Sequence, residues 1–173
     1  VISVLPTYQQ HYSIPESIGA RVDILQLREE DGWLPDLDRL RQLVKEAGGR
    51  VKLININNPN NPTGSVMEEP MLRGIVDIAR EAGAWLLCDE VYRGLCHEGE
   101  PYTASVADLY ERGISTGSMS KTYSLAGLRL GWIAGPAGLH GMLSRQRDYH
   151  VISVGRLDDL LAAVALESRE AIS

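Results

Sequence analysis

Short apolar runs alternate with amphipathic stretches along this chain, and that alternation most limits the folds open to it. Leu37, Leu40, Val44 and Ala47 share one helical face, with Pro35 near its start and Gly48-Gly49 at its end. Residues 51–56 follow as a short strand-like run that Lys52 and Asn55 interrupt. Ser65 and Glu68 have capping-box spacing, and Leu72, Ile75, Val76 and Ala79 continue a helix that Gly83 ends. Residues 84–88 (Ala-Trp-Leu-Leu-Cys) read as a fully buried strand. Further short strands are expected over 1–5, 114–117 and 131–134, and two closing helices near 138–149 and 157–167. The alternation predicts an α/β fold, a three-layer α/β/α arrangement on a mostly parallel central sheet.

Parallel sheets collect their ligands at the carboxyl ends of the strands. Three polar segments, 57–64, 89–92 and 118–121, each directly follow a predicted strand. They are far apart in sequence and are expected to meet at one edge of the sheet.

The 173 residues suffice for one domain with a real core. A net charge of −6 argues against a nucleic-acid surface. No apolar run approaches the roughly 18 residues of a membrane span. Cys88 and Cys96 form no disulfide framework, which points to a reducing, cytoplasmic compartment. The chain opens at Val1 in a strand-like run with no signal-peptide pattern, and reads as excised from something longer.

The chemistry gathers around Lys121. It sits in Ser118-Met119-Ser120-Lys121-Thr122, with Arg129 following. An amine attacks a carbonyl carbon when it is unprotonated, and two hydroxyls with a guanidinium can hold a phosphate. Asp89 ends a buried strand, where a carboxylate is commonly only a turn former; facing a protonated ring nitrogen, it keeps that ring an electron sink. Tyr92 and Asn61 offer two donors to a ring oxygen, Asn61 from the unusually dense run Asn57-Asn58-Pro59-Asn60-Asn61-Pro62-Thr63-Gly64. Tyr8 supplies an aromatic face. Together these are the partners that pyridoxal 5′-phosphate (PLP) requires.

The combination resembles the class I/II aminotransferases of the fold-type I PLP enzymes. The resemblance runs through essentially the whole chain and is carried by residues 58–64, Asp89-Glu90-Val91-Tyr92, Ser118-Met119-Ser120-Lys121 and Arg129. It implies that Lys121 is the Schiff-base lysine and proton shuttle. It further implies that Asp89 pairs the pyridine nitrogen and that Asn61 and Tyr92 bind the ring oxygen. Ser118, Ser120 and Arg129 would hold the phosphate, and Tyr8 would stack on the ring. The substrates would be an α-amino acid and a 2-oxo acid, and the enzyme a homodimer. By the same resemblance, residues 1–173 are a cofactor-binding large domain incomplete at both ends, without its small domain, and expected to bind PLP weakly alone.

Two other readings keep the same residues. A PLP-dependent β-lyase or related elimination enzyme uses the same ring contacts and the same lysine. The aminotransferase-like effector domain of a transcription regulator binds the cofactor without turnover. Other signals fail. Gly117 to Thr122 lacks the second glycine of a P-loop, and no Gly-x-Gly-x-x-Gly opens a helix. His11, His97, His140 and His150 show no metal-ligand spacing, and His97 beside Glu98 and Glu100 reads as a solvated loop.

Overall fold

The computed structural model describes residues 1–95 and 102–172; Cys96, His97, Glu98 and Glu100 lie outside the described residues. Six strands form one sheet in the order β2-β1-β3-β4-β5-β6. They are β1 (Ile2–Leu5), β2 (Asp23–Gln26), β3 (Leu53–Asn57), β4 (Trp85–Asp89), β5 (Gly113–Ser118) and β6 (Gly131–Ala134). All neighbours from β2 to β5 run parallel, and β6 pairs antiparallel with β5. The expected mostly parallel α/β architecture is what forms.

Seven helices accompany the sheet among the described residues: α1 (Gln10–Ser17), α2 (Leu37–Glu46), α3 (Glu69–Glu81), α4 (Val106–Leu109), α5 (Ala137–Arg147), α6 (Arg156–Glu167) and α7 (Arg169–Ile172). Helix α2 starts where Asp36 accepts from the amides of Asp38 and Arg39, which satisfies two otherwise orphaned donors. The capping box expected at Ser65 and Glu68 does not form. Helix α3 begins at Glu69 with Pro70 in its first turn, and Glu68 makes no side-chain cap. The Ser65 hydroxyl instead donates to the Trp33 carbonyl, and so holds the preceding loop.

The two faces of the sheet differ in chemistry. Ile2, Val4, Ile54, Ile56, Leu86 and Cys88 fall on one face and bury against Leu40, Leu43, Leu72, Ile75 and Ile78 of α2 and α3. The register places Ser3, Asn55, Asn57, Asp89 and Thr116 on the other face. Helix α1 crosses that side, where Asn55 Nδ2 donates to the His11 carbonyl. Strand β4 is therefore not buried throughout, as 84–88 had suggested. It alternates, with Leu86 and Cys88 buried and Trp85, Leu87 and Asp89 only partly so. Alternation across a strand is what lets Asp89 face a site while Cys88 packs in the core.

A second, smaller core holds the lysine loop. Met119 is fully buried against Ala162 and Ala165 of α6, with Leu125, Leu128 and Leu130 around it. Beside it, Trp132 lies flat over Gly117, where a Cβ would come within 2.6 Å of the indole.

Glu90 points away from Asp89 and closes α4. Its Oε1 accepts from the Ser105 hydroxyl and the Val106 amide, both at 3.0 Å. Burial raises the Glu90 pKa, although the Ser115 hydroxyl, the Val106 amide and the Ser105 hydroxyl pull the other way. The folded chain thus holds this proton to higher pH than the unfolded chain does, and ionisation of Glu90 costs stability as pH rises. Glu90→Gln keeps an acceptor and removes that cost. The melting-temperature difference, variant minus parent, should grow more positive from about pH 4.5 to about pH 7. Thermal melts across that range check it, and a flat or shrinking difference contradicts it.

Candidate active site

The carboxyl ends of β3, β4 and β5 meet as the sequence predicts. Tyr8, Asn61, Asp89, Tyr92, Ser118, Ser120 and Lys121 line one cavity of about 220 Å³, with Asn57 and Val91 completing its wall. These residues come from four segments spread over more than a hundred positions, brought together by parallel strands in register.

Asp89 is the most firmly fixed of them. Its Oδ1 accepts from the Thr116 hydroxyl at 3.0 Å and the Val91 amide at 3.2 Å. Its Oδ2 lies 3.1 Å from His11 Nε2. A carboxylate only accepts, so Nε2 carries the proton, and His11 Nδ1 lies 3.1 Å from the Thr7 hydroxyl. Thr7, His11 and Asp89 form one chain of hydrogen bonds from α1 to the end of β4. Oδ1 thus accepts two bonds, while Oδ2, with one partner, keeps acceptor capacity.

The loop after β3 is tied to the end of β4. Asn57, almost wholly buried, donates from Nδ2 to the Asp89 carbonyl at 2.7 Å and accepts the Asn61 amide at 2.7 Å. Asn58 holds both backbone groups of Met67, which fixes the far side of the loop. Asn61 Nδ2 reaches the Tyr92 hydroxyl at 3.4 Å, so the two residues expected to share a ring oxygen stand side by side. Tyr8 meets His11 edge to face, with ring centroids 6.0 Å apart.

Lys121 follows the end of β5. Its Nζ lies 5.6 Å from the centre of the Tyr92 ring. The Ser124 amide donates to the Lys121 carbonyl and the Leu125 amide to the Met119 carbonyl, both at 2.9 Å, so the loop closes on itself. The Ser120 amide donates to the Ser118 hydroxyl at 3.3 Å.

Arg129 is the one residue of the predicted set that the cavity wall does not include. Its side chain is exposed and donates to the Ala126 carbonyl at 2.9 Å. Its backbone is nevertheless close, because the Met119 amide donates to the Leu130 carbonyl at 3.0 Å. Sequence reasoning missed His11, Thr7, Thr116 and Asn57. Thr7 and His11 had a usable signal in their i, i+4 spacing beside Tyr8. Thr116 and Asn57 had none, since only strand register reveals that they flank Asp89.

A sequence profile described as "Aminotransferase class I and II" matches residues 1–169. Capreomycidine synthase of Streptomyces vinaceus is 34% identical over 99% of this chain and 43% of its own length. Aromatic aminotransferase ISS1 of Arabidopsis thaliana is 31% identical over 96% of the chain and 42% of its own. A PLP-dependent aminotransferase structure from Streptococcus suis 89-1591 superposes with a TM-score of 0.92 at 48% identity, covering 99% of this chain and 44% of that one. The chain spans less than half the length of each of these proteins.

The fully buried Met119 anchors the loop that carries Lys121. Met119→Ala should lower unfolding free energy by about 2–5 kcal/mol, the usual cost of emptying such a position. Urea denaturation measures it, and a loss below about 0.5 kcal/mol would mean that the anchor is not there.

Proposed function

The chain belongs to the aminotransferase class I and II family, and from that premise we propose that it is the cofactor-binding part of an enzyme that moves an amino group between an α-amino acid and a 2-oxo acid with PLP. The observation that carries the proposal is the single cavity in which Lys121, Asp89, Asn61 and Tyr92 stand together.

Size and donor chemistry both fit the cofactor. An apolar cavity of about 150 Å³ takes up benzene, so about 220 Å³ admits a substituted six-membered ring. When bound, PLP supplies an electron sink for the pair left by a broken bond at the amino acid's α-carbon. Asp89, held from three sides, keeps a ring nitrogen protonated. Removing such a paired, mostly buried carboxylate costs about 3–5 kcal/mol. Asn61 Nδ2 and the Tyr92 hydroxyl donate to the ring oxygen. Ser118 and Ser120 hydroxyls bind phosphate oxygens, and Arg129 adds a bidentate contact once its side chain leaves the Ala126 carbonyl. Tyr8 covers the ring face.

Lys121 acts twice in this reading. Its Nζ holds the aldehyde carbon until an amino acid replaces it, and the freed amine then moves a proton between the α-carbon and that aldehyde carbon. The His11–Asp89 hydrogen bond orients the carboxylate and does not touch substrate. The family resemblance supports a homodimer, and the buried free thiol of Cys88 fits a cytoplasmic setting. No helix among the described residues is long and apolar enough to cross a membrane. Residues 1–173 would be most of a large domain, in keeping with the share of its relatives that the chain spans.

Two experiments on the full-length protein test the proposal. Asp89→Asn should lower amino-transfer rates about a hundredfold to a few thousandfold while Lys121 still retains the cofactor. Transfer also requires an acceptor. Without a 2-oxo acid, each site should convert no more than one amino acid; repeated release of ammonia and oxo acid without acceptor would contradict transfer and establish elimination instead.

A further inference from the structure

One residue beside Lys121 has no part in the chemistry above. Thr122 is almost wholly buried, and its hydroxyl points at the backbone on either side of Tyr92. Oγ1 donates to the Arg93 carbonyl at 2.8 Å and lies 3.4 Å from the Val91 carbonyl. A hydroxyl has one proton, so the shorter bond takes it and the second carbonyl limits the direction. The methyl is equally confined. A Cβ on Gly94 would come within 2.8 Å of Thr122 Cγ2 and 2.9 Å of the Tyr102 ring. Gly94 has φ +97°, a conformation glycine adopts without strain, so the chain after Tyr92 turns back over the threonine.

The socket is therefore built from residues 91–94, and its occupant is the immediate neighbour of Lys121. Nothing else among the described residues hydrogen-bonds the turn carrying Tyr92 to the turn carrying Lys121 by a side chain shorter than 3 Å. We propose that Thr122 is a positioning residue: its hydroxyl clamps the Lys121 turn to the Tyr92 turn and so sets the amine relative to the phenol before the cofactor arrives. This rests on the reading of Lys121 and Tyr92 given above. The clamp would matter because an ordering cost met in the apo protein is not met again on binding.

The test compares Thr122→Val, Thr122→Ser and Thr122→Ala in the full-length protein. In the apo protein, backbone hydrogen exchange over residues 91–95 and 121–125 should be faster in Thr122→Val and Thr122→Ala, and parent-like in Thr122→Ser. PLP affinity, read from the visible band, should fall about tenfold in the first two and recover in Thr122→Ser. If Thr122→Val does not fold, the serine and alanine variants, which differ only in the hydroxyl, decide the matter. Equal exchange in serine and alanine variants overturns the proposal, as does unchanged exchange in Thr122→Val. A parent protein that shows no PLP band would instead overturn the functional reading, and the apo exchange data would still decide the clamp.

Discussion

The parallel register of β3, β4 and β5 is the constraint on which the site depends. It sets Asn57 beside Asp89 and Asp89 beside Thr116. From that row follow the fixed carboxylate, the Asn61 loop tied through Asn57, and the start of the lysine loop two residues beyond Thr116. A slip of one residue would turn Asp89 into the apolar core and bring Cys88 out. The apolar face holds the register. Ile54, Ile56, Leu86 and Cys88 each have only one side of the sheet on which burial against α2 and α3 is available.

Two adjacent carboxylates show how much that alternation accomplishes. Asp89 and Glu90 are neighbours in the chain yet serve opposite sides. Asp89 meets hydroxyl, amide and imidazole donors at the cavity. Glu90 goes under the other side, where it caps α4 and holds the far end of the loop that begins with Tyr92. Thr122 ties the near end of that loop to the lysine turn. Arg93 Nε also donates to the Thr103 carbonyl at 2.7 Å, so polar side chains hold both ends of the loop.

Much of this was legible in the sequence, for reasons that can be stated. Strands β3 and β4 have apolar stretches ended by polar clusters, and α2 and α3 have clear helical periodicity, so their positions followed directly. The site residues followed because ligands gather at strand ends and because the family resemblance assigned their roles. What escaped notice had no pattern long enough to read. Strand β2 has a single buried residue, Leu25, and α1 contains Pro15 and buries only His11. Helix α4 has four residues. The direction of β6 is set by the lysine loop folding back through the Met119–Leu130 bond, which no local periodicity encodes. The misplaced capping box at Ser65 shows the opposite failure. There a genuine local signal lost to a tertiary partner, the Trp33 carbonyl.

The central claim is that Lys121 is the amine that takes up the cofactor. The chain's lysines are Lys45, Lys52 and Lys121. Lys45 sits on α2 and Lys52 just before β3, neither among the residues lining the cavity. Borohydride reduction of the PLP-loaded full-length protein, followed by peptide mass spectrometry, fixes the cofactor to whichever amine holds it. The account predicts the pyridoxyl mass on the peptide containing Lys121, and its loss in Lys121→Ala. The same label on another lysine of the parent protein, or an undiminished label in the variant, would contradict it.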